Sequence, residues 1–139
     1  MTIVAALCCT SMAGVFFAFS AMVMPGLRRA DPDTGLAAMR AINVAVVNPF
    51  FVTLFLGTAV VSVVAAITGG PWAVAGAALY VLGGLVLTGV YHIPRNNALE
   101  RRASTDYWAE YLSQWVPWNH VRAALSLLAG IAFVLAATR

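Results

Sequence analysis

Two short stretches hold most of the side chains able to do chemistry. VYHIPRNNALERR, at 90–102, carries His92, Arg95, Asn96 and Asn97; WVPWNHVR, at 115–122, carries Trp115, Trp118, Asn119, His120 and Arg122. The first of them ends a run, from 41 to 94, without a single Asp, Glu, Lys or Arg. Imidazole changes charge near physiological pH, and an ionisable ring at the end of an apolar segment, close to a cation and several amides, is by default a functional site. His92 is therefore the leading candidate. Arg122 follows, although a long cationic side chain can also snorkel to an interface. Plainer uses exist for the others: helix capping for Asn48 and Asn119, headgroup contact for His120, and an aromatic belt for the tryptophans.

Counting sets aside several membrane chemistries. A proton-coupled pump needs a carboxylate within a span, and all five acidic residues lie in connections. A thiol oxidoreductase needs a spaced cysteine pair, whereas Cys8 and Cys9 are adjacent. A carboxylate-bridged dimetal centre needs several Glu and His on facing helices, and these are lacking. No dinucleotide fingerprint, P-loop or dense metal-ligand cluster occurs, so no metal site is expected.

The elements that must position these residues follow from composition. Of 139 residues 62% are hydrophobic and 9% charged, with a mean hydropathy of +0.87, far from the usual globular mix of about 25% charged. Four apolar runs reach the roughly 20 residues a helix needs to cross a bilayer: about 2–24, 48–67, 71–92 and 118–138. The first has no basic flank or small-residue cleavage site and is read as a retained helix. Because each span must satisfy its own backbone in lipid, the fold class is all-α, an integral membrane four-helix bundle in a single domain, 1–139. Asp31-Pro32 reads as an N-cap with proline at N1. STDYWAEYLSQW puts Tyr107, Trp108, Tyr111, Leu112 and Trp115 on one face, which predicts a short interfacial amphipathic helix between spans three and four.

Arginines orient the bundle. Arg28, Arg29 and Arg40 lie in the first connection and Arg95, Arg101 and Arg102 in the third, with Arg122 just inside span four and Arg139 alone opposite. The positive-inside rule puts these two connections in the cytoplasm and both termini outside, in a membrane expected to be a bacterial inner membrane. The net charge of +3 is thus topological, and no nucleic-acid partner is implied. In such a bundle the polar residues Ser20, Asn43, Asn48, Thr88, Tyr91, His92, Asn96, Asn97, Trp115, Trp118, Asn119, His120 and Arg122 meet at one end. Trp115, Asn119 and Arg122 share a helical stripe, as do Thr88 and His92. A pocket is expected there.

GVFFAFSAMVMPGL, AMRAINVAVVNPFF, VYHIPRNNALE and WVPWNHVRAALSLLAG, in this order over nearly the whole chain, resemble the DUF1772 family, also called the anthrone oxygenase family. The resemblance implies oxidation of an anthrone, or another carbanion-forming aromatic, to a quinone, with O2 as co-substrate and no resident redox cofactor. It implies a hydrophobic aromatic small molecule as partner. Set on these residues, the chemistry makes His92 the general base, Arg122 with Asn96 and Asn119 the stabilisers of enolate and peroxide, and Phe16, Phe17, Tyr91, Trp115 and Trp118, with Asn43 and Asn48, the substrate wall. Two other readings fit the same chain. His92 and His120 near one face suit a haem or quinone protein, and the pairs Gly69-Gly70 and Gly83-Gly84 suit a non-catalytic, self-associating component.

Overall fold

The computed structural model describes residues 1–138; Arg139, which enters the charge bias above, lies outside them. The described residues form helices and no strand. α1 (Thr2–Ala18) runs through a π-helical turn, Phe19–Val23, into α2 (Met24–Arg29), and α3 (Pro32–Ala45) follows. α4 spans Pro49–Thr68. α5 (Gly70–Tyr80) continues through π turns at Val81–Val86 and Thr88–His92 into α6 (Ile93–Arg102), and α7 covers Thr105–Ala137. Four helices are long and apolar enough to cross a membrane: Thr2–Arg29, Pro49–Thr68, Gly70–Arg102 and Thr105–Ala137. α1 packs on α4 and α7, and α5 on the same two, so the four make an antiparallel ring.

Prolines explain two of the three places where the long helices change pitch. A helical proline lacks an N–H and crowds the carbonyl four residues back, which for Pro25 and Pro94 means Ala21 and Val90. Both carbonyls lie inside π turns. There the ladder steps to the fifth residue, Met24 N–H donating to the Phe19 carbonyl and Ile93 N–H to that of Thr88. The helices therefore bend and continue, as π turns permit, past the boundaries near 24 and 92 that hydropathy suggests. At about 1.5 Å per residue the two 33-residue helices reach about 50 Å, well beyond the roughly 30 Å hydrocarbon core.

The excess length gathers at one end, where α3 and the start of α7 join it. Met24, Leu36, Met39, Leu99, Tyr107, Trp108, Tyr111, Leu112 and Trp115 form a buried cluster of their own there. This corrects one expectation. No separate interfacial helix occurs, because α7 runs unbroken through Pro117 from Thr105, and its aromatic stripe is buried against α2, α3 and α6 rather than laid in headgroups. The stripe had the right periodicity, but its partner is protein. Asp31 does occupy the N-cap of α3 with proline opening the helix; its side chain makes no capping bond, and its backbone carbonyl accepts from Gly35 N–H.

Candidate functional site

Between this aromatic cap and the ring of spans lies a cavity of about 390 Å³, within the range of about 300–1,000 Å³ typical of small-molecule sites. Val15, Phe16 and Phe19 form one wall, Phe51, Val52 and Phe55 of α4 a second, and Met39, Ile42, Asn43, Val44, Val46 and Val47 a cover. Thr88, His92, Ile93, Asn96, Asn97, Glu100, Trp115 and Arg122 complete it. The deep end is closed, with His92 1%, Phe16 3% and Arg122 6% exposed, whereas Val44 and Val47 at the α3–α4 connection are 72% and 74% exposed. The cavity opens at the α3–α4 connection.

Arg122 is held by α1, α5's extension and α7 together. Asn119, one turn earlier on α7, accepts from Nε at 3.1 Å and from Nη2 with its amide oxygen, while its amide nitrogen donates to the Phe16 carbonyl and to Ser20 Oγ, both at 2.7 Å. Thr88 Oγ1 accepts from Arg122 Nη1 at 2.9 Å and donates to the Gly84 carbonyl at 2.6 Å. The Phe16 ring lies 4.3 Å and the Trp115 ring 5.4 Å from the guanidinium carbon. Such contacts favour a cation in a dry place.

His92 ends the second π turn, which sets its Nδ1 3.5 Å from the Leu87 carbonyl. A carbonyl only accepts, so at this contact Nδ1 would be the donor, and the tautomer it favours is the one with a lone pair on Nε2. Nε2 is buried and has no hydrogen-bond partner among the described residues. Trp115 and Tyr91 pack edge-on against the ring, with centroids 5.1 and 5.5 Å away. Orphaned buried polar atoms are uncommon, and His92 is one of the residues that line the cavity.

Asn96 is locked in the opposite sense. Its amide oxygen accepts from Tyr111 Oη at 2.8 Å and Trp115 Nε1 at 3.0 Å. Two donors on one atom fix the amide orientation, and the NH2 is left for whatever enters.

Of the eleven residues to which the resemblance gives a catalytic or substrate-binding role, Phe16, Asn43, His92, Asn96, Trp115 and Arg122 line the cavity and the remaining five do not. Phe17 is 59% exposed and faces an outer groove shared with His120, since neighbouring helical residues stand about 100° apart. Asn48 caps α4, accepting from Phe51 N–H at 3.0 Å. Tyr91 lies under Arg95, 3.3 Å from guanidinium carbon to ring centroid, and against Trp118, which is 43% exposed. Asn119 is fully buried with its amide spent on four bonds, so it positions Arg122 and has no donor left for a ligand. His92 and His120 do not converge: one lines the cavity and the other is exposed in the outer groove. The sequence reading missed the roles of Tyr111, assigned to a lipid-facing stripe, and of Met39 and Ile42, for which only the amphipathic character of α3 gave a signal.

Neither curated proteins nor solved structures give a match. A protein-family model described as anthrone oxygenase matches residues 37–132, from the cover helix α3 through His92, Asn96, Trp115 and Arg122 to the far turns of α7. The match spans more than half of the chain and every segment that builds the cavity except α1 and the π turn after it, and this chain belongs to the anthrone oxygenase family.

Proposed function

We propose that the protein is a membrane-embedded oxygenase that converts a flat, carbanion-forming aromatic ketone of the anthrone type to the quinone. The observation that carries this reading is the pairing of an unpartnered His92 Nε2 with the Arg122 guanidinium on the wall of one apolar cavity. His92 takes a proton from the activated methylene, acting as general base. The negative charge moves to the ketone oxygen, where Arg122 and the Asn96 NH2 stabilise it. The resulting enolate is electron-rich enough to give one electron to O2; the two radicals combine into a carbon-bound peroxide anion, which takes the proton back from His92, and loss of water with the second methylene hydrogen leaves the new carbonyl. One ketone and one O2 thus give one quinone and one water. Phe16 and Trp115 offer faces for the flat substrate, and the opening beside Val44 and Val47 supports entry from the bilayer. The arginine-rich end that holds the cavity is assigned to the cytoplasmic side.

The test is oxygen uptake and quinone absorbance when detergent-purified protein meets a simple anthrone, with His92→Ala as the control. The reading requires wild-type conversion well above spontaneous autoxidation and its loss in a variant that still elutes as a folded species. A wild-type rate equal to the protein-free rate, or full activity in His92→Ala, refutes it.

A further inference from the structure

Arg122 is a buried cation without an anion. A guanidinium has five N–H donors. Three of them reach Asn119 and Thr88, both neutral, which leaves two unused. Among the described residues no carboxylate pairs with Arg122. Glu100 also lines the cavity, yet Arg40 holds it at the solvent side with bonds of 2.6 and 2.9 Å, and the two side chains are 55% and 37% exposed. A charge removed from water with no partner is strongly penalised. Here it is retained on the wall of a largely apolar space whose other polar groups, Glu100 apart, are neutral side chains or His92.

We infer that the cavity is a ground-state binding site for lipophilic monoanions, the anionic oxygen on the free N–H groups of Arg122 and the apolar body extending toward the opening at Val44 and Val47. The polarity of the site fixes the orientation: charge at the deep end, where Arg122 is 6% exposed, and hydrocarbon toward the exposed valines at the opening. Ligands of this class are aromatic carboxylates and the ionised forms of phenols and enols. The inference shares with the oxygenase reading the premise that Arg122 faces the ligand. It differs in what it requires, namely tight binding before any chemistry, so that a non-reactive carboxylate of suitable shape blocks the site.

The experiment uses 2-naphthoate and its neutral counterpart 2-naphthamide as probes. Binding to the full chain in lipid nanodiscs is measured by calorimetry, with empty nanodiscs subtracted. The carboxylate is expected to bind at least about tenfold tighter than the amide, as hydrogen bonds to a charged group allow. Arg122→Gln should bring the ratio to about one, and Arg122→Lys should keep a preference for the carboxylate. Thr88→Asp, which sets a carboxylate where Nη1 now donates, should also remove the preference with Arg122 still in place, and it carries the test if Arg122→Gln does not fold. Equal binding of the two probes by the wild type, or a preference that survives either neutralising change, overturns the inference. An anion preference without turnover of an anthrone would leave this inference standing and remove the oxygenase reading; turnover without an anion preference would do the reverse.

Discussion

The spanning half of the bundle and the cavity half are packed from different materials. Around Ala5, Ala65, Ala73 and Ala129 the core is made chiefly of small side chains, and a Cβ added at Gly76 would come within 2.9 Å of the Phe133 ring. Around Trp115 the core is aromatic and tied by side-chain hydrogen bonds, Tyr111 and Trp115 to Asn96, Asn119 to Ser20. Lipid offers helices no hydrophobic reason to associate, so the first half is held by close backbone approach. The second half keeps a void between helices. It can do so because the cap replaces direct contact with large, fixed side chains.

Five substitutions break or sharpen that contrast. The largest effect belongs to His92→Ala, where loss of a general base should lower the oxygenation rate about 10²–10⁴-fold while the unfolding temperature in detergent stays near that of the wild type. Gly76→Ala should act in the opposite manner. Its new methyl meets the Phe133 ring and the Ala129 carbonyl oxygen, an overpacking that costs about 1–3 kcal/mol, read as a lower unfolding temperature with normal turnover per folded molecule. Gly57→Ala, with nothing within 4 Å of the added carbon, is the control and should not lose stability. Tyr111→Phe removes one of the two donors that orient Asn96, about 1 kcal/mol for a partly buried bond, and should weaken the binding of an oxygen-bearing substrate several-fold more than it lowers stability. Smallest is Arg40→Gln. The Arg40–Glu100 bridge is exposed, such pairs contribute little, and the unfolding temperature should not move.

Part of the site was legible because helical spacing carries it. Trp115, Asn119 and Arg122 on one stripe, and Thr88 with His92 on another, do meet in the fold, and the meeting of four span ends follows from the up-and-down order. What the spacing left open was which neighbour of each pair faces inward. Phe16 and Phe17, or Tyr91 and His92, are adjacent in sequence and chemically similar in an apolar context, yet one of each pair lines the cavity and the other does not. That choice is made by the rotation of each helix about its axis, which depends on its packing partners.

By itself, the sequence determined that the chain is helical, that four segments are long and apolar enough to cross a membrane, and that its polar groups collect at one end, because hydropathy and period act within each segment. Two prolines also wrote two of the three π turns, through a missing N–H and a crowded carbonyl. Only the tertiary structure decided that the aromatic stripe of α7 is a protein core, that Asn119 serves Arg122 rather than a ligand, and that His92 Nε2 is left without a partner. These depend on groups separated by up to about a hundred residues coming within hydrogen-bond distance, as Asn119 and Phe16 do. No local pattern encodes such a distance, since it is fixed by how closely small residues let whole helices approach.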